Sequence, residues 1–214
     1  MEIELKYGID SKDTAIKIWK DPYLKSIEEP DTRETLTMKG VYFDTEDHDL
    51  MKNDIALRIR QEGSRIVAAL KWNDNSEGNL HKREEMNVAV TDEAQLERPN
   101  IVVFEDSDIG KDLIKLVGGK KLKKMMVVDV VRRRFRVEEN NTLMEISIDT
   151  GEIITENGNE PVLEIELELF TGEDSQLMDL GNRLAERYGL VSEKRSKYLR
   201  GIRLLGVDTG AAAE

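Results

Sequence analysis

The chain opens with Glu2-Ile3-Glu4-Leu5-Lys6, where charged and apolar residues alternate. Because successive side chains of a β-strand point to opposite faces, this period of two predicts a strand with one charged face and one apolar face. The stretch Glu164-Ile165-Glu166-Leu167-Glu168, near the other end of the chain, repeats the pattern. Two predicted strands thus carry acids at every second position.

The same alternation recurs between these two stretches. It predicts strands over residues 2–7, 41–45, 56–61, 66–72, 83–90, 127–137, 143–149 and 161–170, and helical spacing predicts helices over 10–20, 173–188 and 194–205. Eight strands are typical of a small closed barrel. We expect a strand-dominated α+β fold, a closed or nearly closed eight-stranded antiparallel β-barrel with peripheral helices. It would form a single domain over residues 1–206, followed by a flexible tail over 207–214.

The composition narrows the classes of function. A formal net charge of -12 disfavours sequence-independent binding of nucleic acid, because such binding depends on basic residues. The 214 residues include no cysteine and two histidines, which excludes disulfides and thiolate sites and disfavours histidine-based catalysis. No stretch resembles a secretory signal or a membrane span. We expect a cytoplasmic protein without nucleic-acid or membrane partners. The sequence is compatible with a homodimer.

The polar faces of the predicted strands are almost entirely charged. They carry Glu2, Glu4 and Lys6; Arg58 and Arg60; Lys71; Arg83, Glu85 and Asn87; Arg132, Arg134 and Arg136; Glu145 and Asp149; and Glu164, Glu166 and Glu168. A solvated outer face is the ordinary explanation for any one such strand. It explains the whole set less well, because like charges on adjacent positions repel and something of opposite sign should lie between them.

A divalent cation bound to an oligophosphate supplies both the positive and the negative charge that these faces require. Carboxylates suit hard cations such as Mg²⁺ or Mn²⁺, and arginine and lysine suit phosphoryl oxygens. The charged faces would then line a water-filled lumen, because burying so many ions without a ligand would be costly. Their apolar partners, such as Ile3, Leu57 and Ile165, would point outward beneath the helices.

The sequence also resembles a known family, the CYTH superfamily or triphosphate tunnel metalloenzymes. The opening Glu-x-Glu-x-Lys pattern matches the signature of that family, and further motifs follow in the family's order and rough spacing over about residues 2–204. These motifs are Tyr42-Phe43-Asp44-Thr45, Leu57-Arg58-Ile59-Arg60, the stretch 80–85, Glu145-Ile146-Ser147-Ile148-Asp149, the stretch 164–168 and Ser196-Lys197. The stretches 81–90 and 144–169 look most like those of bacterial inorganic triphosphatases.

The resemblance implies roles for individual residues. Metal ligands would be Glu2, Glu4, Glu164 and Glu166, with Asp149 and Glu145 nearby. The candidates for binding the phosphate chain are Arg58, Arg60, Lys71, Arg83, Arg132, Arg134 and Lys197. The candidate catalytic residues are Glu2, Glu4, Lys6, Asp149 and Glu168, with one or two Mg²⁺ or Mn²⁺ ions as cofactor. Glu85 and Glu168 are equally well explained as salt-bridge partners of arginines, and Arg136 as a surface charge.

The leading functional hypothesis is metal-dependent hydrolysis of inorganic triphosphate or a related triphosphate compound. The resemblance also admits a thiamine triphosphatase and a class IV-type adenylate cyclase, because fold similarity does not fix the reaction. Trp72, at the end of a predicted strand, would be placed to touch an organic substituent. A non-catalytic polyphosphate-binding module is the hypothesis from another class.

Overall fold

The structure is a computed structural model and describes residues 1–73 and 75–207 of the chain. Its strands are Glu2–Gly8 (β1), Glu34–Thr45 (β2), Ile55–Glu62 (β3), Arg65–Trp72 (β4), Leu80–Val90 (β5), Leu122–Glu139 (β6), Thr142–Thr155 (β7), Gly158–Thr171 (β8) and Val191–Ser192 (β9). Its α-helices are Lys12–Trp19 (α1), Pro22–Ser26 (α2), Asp108–Val117 (α3), Asp174–Tyr188 (α4) and Lys197–Leu205 (α5). Three 3₁₀ turns cover Met51–Asn53, Glu93–Leu96 and Ile101–Phe104.

The first eight strands form a closed antiparallel barrel, as the alternation predicts. Their order is β5-β4-β3-β2-β6-β7-β8-β1, and a further pairing of β5 with β1 closes the circle. In that closing pair Glu2 lies opposite Arg83 and Leu5 opposite Leu80. The short strand β9 pairs with β1 outside the barrel. The fold is therefore the strand-dominated α+β barrel that the sequence predicts.

The apolar faces point outward and are covered by helices. On one side Leu5, Ile165 and Leu167 are fully buried under α1 and α4, in a core that also holds Phe135 and Leu180. On the opposite side another cluster, which includes Leu57 and Ile59, packs against Phe104, Leu113 and Val117 of α3 and the turn before it. Period-two alternation thus separates an outer apolar layer from an inner polar one.

The helix α5 packs against β7 and β8 and closes over one part of the barrel. Ser196 caps its N-terminus by accepting a hydrogen bond from the backbone N–H of Leu199 at 3.1 Å. At Gly201 the helix lies so close to the barrel that an added Cβ would meet Met126 Sδ at 2.1 Å. The close contact holds the middle of α5 against the sheet.

The structure differs from the sequence-based prediction mainly in what lies between the strands. Helix α3 is not predicted because Gly110 interrupts its apolar pattern, although Ser107 and Gly118 are ordinary capping residues. A Cβ at Gly110 would come within 1.8 Å of Phe104 O, so close packing explains the glycine. The strand β2 begins seven residues before the predicted 41, because its first half also pairs with β6; the alternation of Leu36 and Met38 with threonines was an available signal that the prediction missed.

None of the described helices is both long and apolar enough to cross a membrane. The predicted flexible tail lies, apart from Val207, outside the described residues.

Candidate active site in the barrel lumen

The lumen contains a cavity of about 260 Å³, and the alternating polar faces line it. The predicted site residues on its wall are Glu2, Glu4, Lys6, Arg58, Arg60, Lys71, Arg83, Arg132, Arg134, Glu145, Asp149, Glu166, Glu168 and Lys197. Glu164 is fully buried behind this wall and contacts Lys197. One part of the wall is apolar and is formed by Met38, Val128 and Val130. The barrel therefore gathers all the predicted site residues around one space.

Three carboxylates form a buried group, which we call the acidic triad: Asp149, Glu164 and Glu166. One oxygen from each of them lies within 4.8 Å of the others. Arg132 donates to Asp149 from Nε and Nη2, each at 2.7 Å, and to Glu166 at 2.6 Å. Lys197 Nζ lies 2.8 Å from Asp149 Oδ2 and 2.8 Å from Glu166 Oε1, and it also contacts Glu164 Oε1. Lys6 also contacts Glu166 and Arg200 contacts Glu164, so four cations surround three desolvated acids.

The protonation of the triad follows from these partners. Burial raises the pKa of Asp149 and Glu166, but Arg132 and Lys197 oppose it and hold both pKa values below their usual range. The pKa of Glu164 is raised, because burial and the neighbouring carboxylates outweigh the attraction of Lys197. Burial lowers the pKa of Lys197, yet the three carboxylates raise it well above its usual value. The triad and its cations therefore form one charged cluster.

A second group of acids, Glu2, Glu4, Glu145 and Glu168, lies on the same wall. The register places Glu168 directly between Glu4 on β1 and Glu145 on β7. Glu4 is 3.1 Å from Lys6 Nζ, while in the described part of the chain Glu168 has no ion pair. Burial, followed by the charges of Glu2 and Glu4, raises the pKa of Glu168 to about 8. Glu4, Glu2 and Glu145 pair with Lys6, Lys71 and Arg134, so the shortage of positive charge falls on Glu168.

The opposite part of the wall is basic. Arg58 lies 3.3 Å from Glu85, and Lys71 bridges Glu85 at 3.3 Å and Glu2 at 2.5 Å. Burial and the charge of Arg58 lower the pKa of Arg60 to about 10. Within residues 1–73 and 75–207 the buried Nε of Arg58 has no hydrogen-bond partner. Crowded, partly satisfied guanidinium groups are suited to an anionic ligand.

Several motif residues are structural. Asp44 is buried and accepts hydrogen bonds from the backbone N–H groups of Thr45, Leu50 and Met51 at 2.7–3.0 Å, so it holds the turn after β2. His81 lies 3.2 Å from Glu193 O and is not part of the cavity wall. Glu85 makes the salt bridges described above. Arg136 is half exposed and lies 3.9 Å from Glu29, as expected for a surface charge.

Sequence reasoning assigned no role to two aromatic residues of the wall, Tyr42 and Tyr198, or to Arg200, which contacts Glu164 behind the wall. The rings of Tyr42 and Tyr198 lie 5.3 Å apart on the cavity wall. Arg200 is 5% exposed and donates to Glu164 at 2.7 Å and to Glu160 at 2.6 Å. Its spacing of three residues from Lys197 on a predicted amphipathic helix was a usable signal, because residues i and i+3 share a helix face.

Comparison with known proteins decides the family. The sequence profile of the CYTH domain matches residues 1–202. The chain belongs to the CYTH domain family. A relative named inorganic triphosphatase, from Haemophilus influenzae, is 30% identical over 205 residues, which are 96% of this chain and 55% of the relative. The chain therefore spans about half the length of that curated relative.

Two solved structures share the CYTH fold with this chain. HpAC1 from Hippeastrum, described as having a dominant triphosphatase activity, superposes with a TM-score of 0.66 at 20% identity, covering 96% of each chain. The PH1819 protein from Pyrococcus horikoshii OT3 gives a TM-score of 0.56 at 19% identity, covering 95% of this chain and 99% of the other. Both comparisons support the barrel fold.

The divalent cation on which CYTH tunnel enzymes depend fits the donors of this lumen. The acidic triad offers three carboxylate oxygens at mutually short distances, and the second group adds four more acids beside it. An all-oxygen donor set suits Mg²⁺ and Mn²⁺ and gives no preference to soft metals. A cation near Glu168 would supply the positive charge that this wall lacks.

The raised pKa of Glu168 predicts a pH-dependent stability. In metal-free protein its proton is bound more tightly in the folded than in the unfolded state, so its stabilising contribution is complete below about pH 4.5 and is lost as the pH rises through about 8. Urea unfolding in excess chelator, from about pH 5 to about pH 9, should show a smaller loss of stability for Glu168→Gln than for the wild type.

The exposed Glu105 provides a matched control for this experiment, because Glu105→Gln removes a carboxyl outside the barrel. Its stability should follow the wild-type pH profile. Parallel profiles for Glu168→Gln and the wild type would contradict the assigned protonation of Glu168.

Proposed function

We propose that the chain hydrolyses the terminal phosphoryl group of inorganic triphosphate, with Mg²⁺ or Mn²⁺ as cofactor. The observation that carries the proposal is a lumen of largely buried charges in which an acidic wall, formed by Glu4, Glu168 and the triad, meets arginines and lysines. A compact polyanion would bind the arginines and lysines, and its divalent cations would bind the carboxylates. The named activity of the Haemophilus influenzae relative supports the same class of reaction.

The basic wall positions the substrate. Arg58, Arg60 and Lys71 would bind phosphoryl oxygens on one side, and Arg132 and Arg134 would do so from β6. Phosphoryl transfer depends mainly on positioning and on neutralising charge that spreads over the equatorial oxygens. These residues would exchange their present carboxylate partners for phosphate oxygens, so the binding energy offsets the loss of internal salt bridges.

The acidic wall would hold the metal. Its candidate ligands are Glu2, Glu4, Glu145, Asp149, Glu164 and Glu166, the same residues that the sequence suggests. When bound, a divalent cation neutralises phosphate charge and polarises the phosphoryl group. Lys6, which lies 3.1 Å from Glu4 and 3.2 Å from Glu166, would orient both carboxylates.

Glu168 is the proposed general base. In the metal-free protein its pKa of about 8 keeps it largely protonated at neutral pH, so it would act as a base once a bound cation beside it lowers that pKa and releases the proton. A water molecule would attack the terminal phosphorus in line with the bond to the bridging oxygen and give its proton to Glu168. The bond to the bridging oxygen breaks, and orthophosphate and pyrophosphate leave.

Phosphate release from inorganic triphosphate tests the proposal. The wild type should release orthophosphate with Mg²⁺ or Mn²⁺ and lose this activity in excess chelator. Glu4→Gln removes one acidic ligand and should lower turnover by at least about 100-fold, because charge stabilisation in the transition state is lost.

Glu84→Gln, which changes a carboxyl of the outer face of β5 near the N-terminus, is the control and should keep wild-type turnover. A non-catalytic polyphosphate-binding module would bind triphosphate without releasing phosphate, and Glu4→Gln would leave or improve its affinity. Absence of metal-dependent turnover with any triphosphate would reject the proposed hydrolysis.

A second candidate substrate is an organic triphosphate, and a second cavity favours it. This cavity, also about 260 Å³, shares Ala56, Lys71, Arg83, Ser196 and Tyr198 with the lumen, and its other lining residues are largely apolar, including Trp72 and Ile202. Small-molecule sites combine apolar walls with a few polar groups. A flat organic group attached to the phosphate chain would fit there, as in thiamine triphosphate or a nucleoside triphosphate.

Replacement of Trp72 separates these substrates. Trp72→Leu keeps an apolar side chain but removes the aromatic face, which is worth about 1–3 kcal/mol in base stacking. If organic triphosphates use this cavity, their kcat/KM should fall by about 5-fold to 100-fold while that of inorganic triphosphate stays unchanged. Equal effects on both substrates would reject the role of this cavity, and phosphorus NMR of the ATP products would distinguish hydrolysis from formation of a cyclic nucleotide.

A further inference from the structure

The ammonium group of Lys197 lies at the point where the acidic triad converges. Asp149 Oδ2 and Glu166 Oε1 are each 2.8 Å from Nζ, and Glu164 Oε1 is in contact with it. The three carboxylates are almost completely removed from solvent, with exposures of 0%, 2% and 8% for Asp149, Glu164 and Glu166. A single positive charge therefore occupies the centre of three converging carboxylate oxygens.

The other oxygens of the triad are bound elsewhere. Arg132 takes Asp149 Oδ1 and Glu166 Oε2, and Arg200 takes Glu164 Oε2 at 2.7 Å. Each carboxylate thus contacts both Lys197 and an arginine. Asp149 Oδ2 also accepts from Arg132 Nη2 at 2.7 Å, and Glu166 Oε1 also lies 3.2 Å from Lys6 Nζ. If Lys197 were to leave, one oxygen of each carboxylate would lose its contact with Nζ, and the arginines would still hold the carboxylates in place.

A divalent cation and Lys197 cannot share this position. Mg²⁺ binds oxygen ligands at about 2.0–2.1 Å, so an ion held by these three oxygens would lie where Nζ now lies. Two cations that close together would also repel strongly in a buried site.

The location of Lys197 in α5 adds a second constraint. It is the first residue of the helix, after the capping residue Ser196. The N-terminus of a helix carries partial positive charge and favours anions, so a lysine there is electrostatically disfavoured unless acids compensate for it. The position of this side chain therefore depends on the triad.

We propose that Lys197 is a resident cation that fills the acidic triad in the ligand-free protein, and that a divalent metal ion binds there only by displacing it. The displaced ammonium, together with the N-terminus of α5, is then available to the phosphate chain. Metal binding is in this way coupled to the first turn of the helix that covers the barrel. The inference rests on the proposed metal-dependent function, but it concerns binding and not turnover.

Titration of metal-free protein with Mn²⁺, in the absence of any phosphate compound, tests the displacement. Calorimetry would give the affinity, and the electron paramagnetic resonance of Mn²⁺ would report the bound ion. Lys197→Met keeps the length and apolar character of the side chain but removes its charge. It should bind Mn²⁺ at least about 10-fold more tightly than the wild type, because no cation has to be displaced.

Two further variants make the comparison specific. Lys197→Arg keeps the positive charge and should bind Mn²⁺ no more tightly than the wild type. Arg203→Met removes an exposed cation from the same helix and should leave the Mn²⁺ affinity unchanged. An unchanged or weaker affinity in Lys197→Met, or an equal gain in Arg203→Met, would overturn the proposal.

A measurement on the wild type covers the case in which Lys197→Met does not fold. Hydrogen exchange should become faster in the first turn of α5, residues 197–200, when Mn²⁺ is added, because the helix loses its contact with the triad. Slower or unchanged exchange there would contradict displacement. Tighter Mn²⁺ binding by Lys197→Met, together with an absence of triphosphatase activity in the wild type, would reject only the proposed reaction. Wild-type activity with an unchanged Mn²⁺ affinity in Lys197→Met would reject only the displacement.

Discussion

The cost of removing carboxylates from water governs this structure. Asp149 and Glu166 are buried in a barrel lumen, where an unpaired ion is strongly destabilising. They are ionised there because Arg132 and Lys197 lie within hydrogen-bond distance. Where such compensation is missing, at Glu168, the proton is retained instead. The balance between burial and nearby positive charge therefore determines the charge states of Asp149, Glu166 and Glu168.

The barrel makes this arrangement possible through a simple geometric rule. Alternation directs every second side chain inward, and the apolar residues between them form the outer layer that α1, α3 and α4 cover. Register then places residues of different strands side by side, as with Glu4, Glu168 and Glu145. A ligand that carries both positive and negative charge can replace the internal ion pairs without exposing the apolar layer. The charged groups of the lumen can therefore change partners while the fold stays the same.

Much of this was predictable from the sequence, because alternation is a local property. The eight strands, the inward acids and bases and the outward Leu5, Ile59 and Leu167 all follow from it. Other features depend on contacts distant in sequence. Gly110 interrupts the apolar pattern of α3, and the close packing of α3 on Phe104 is what requires a glycine there. The contact between Arg200 and Glu164 depends on the placement of α5 against β8. The shortage of positive charge around Glu168 likewise depends on register.

The central claim is that the charged lumen binds a triphosphate chain and its divalent cation together. Crystals grown with Mn²⁺ and a non-hydrolysable triphosphate analogue test this directly through the anomalous signal of manganese. We expect a manganese peak inside the barrel against the carboxylates of Glu4, Glu164 or Glu166, with phosphate density between it and Arg58 and Arg132. Manganese bound only on the outer surface, or phosphate density outside the barrel, would contradict it.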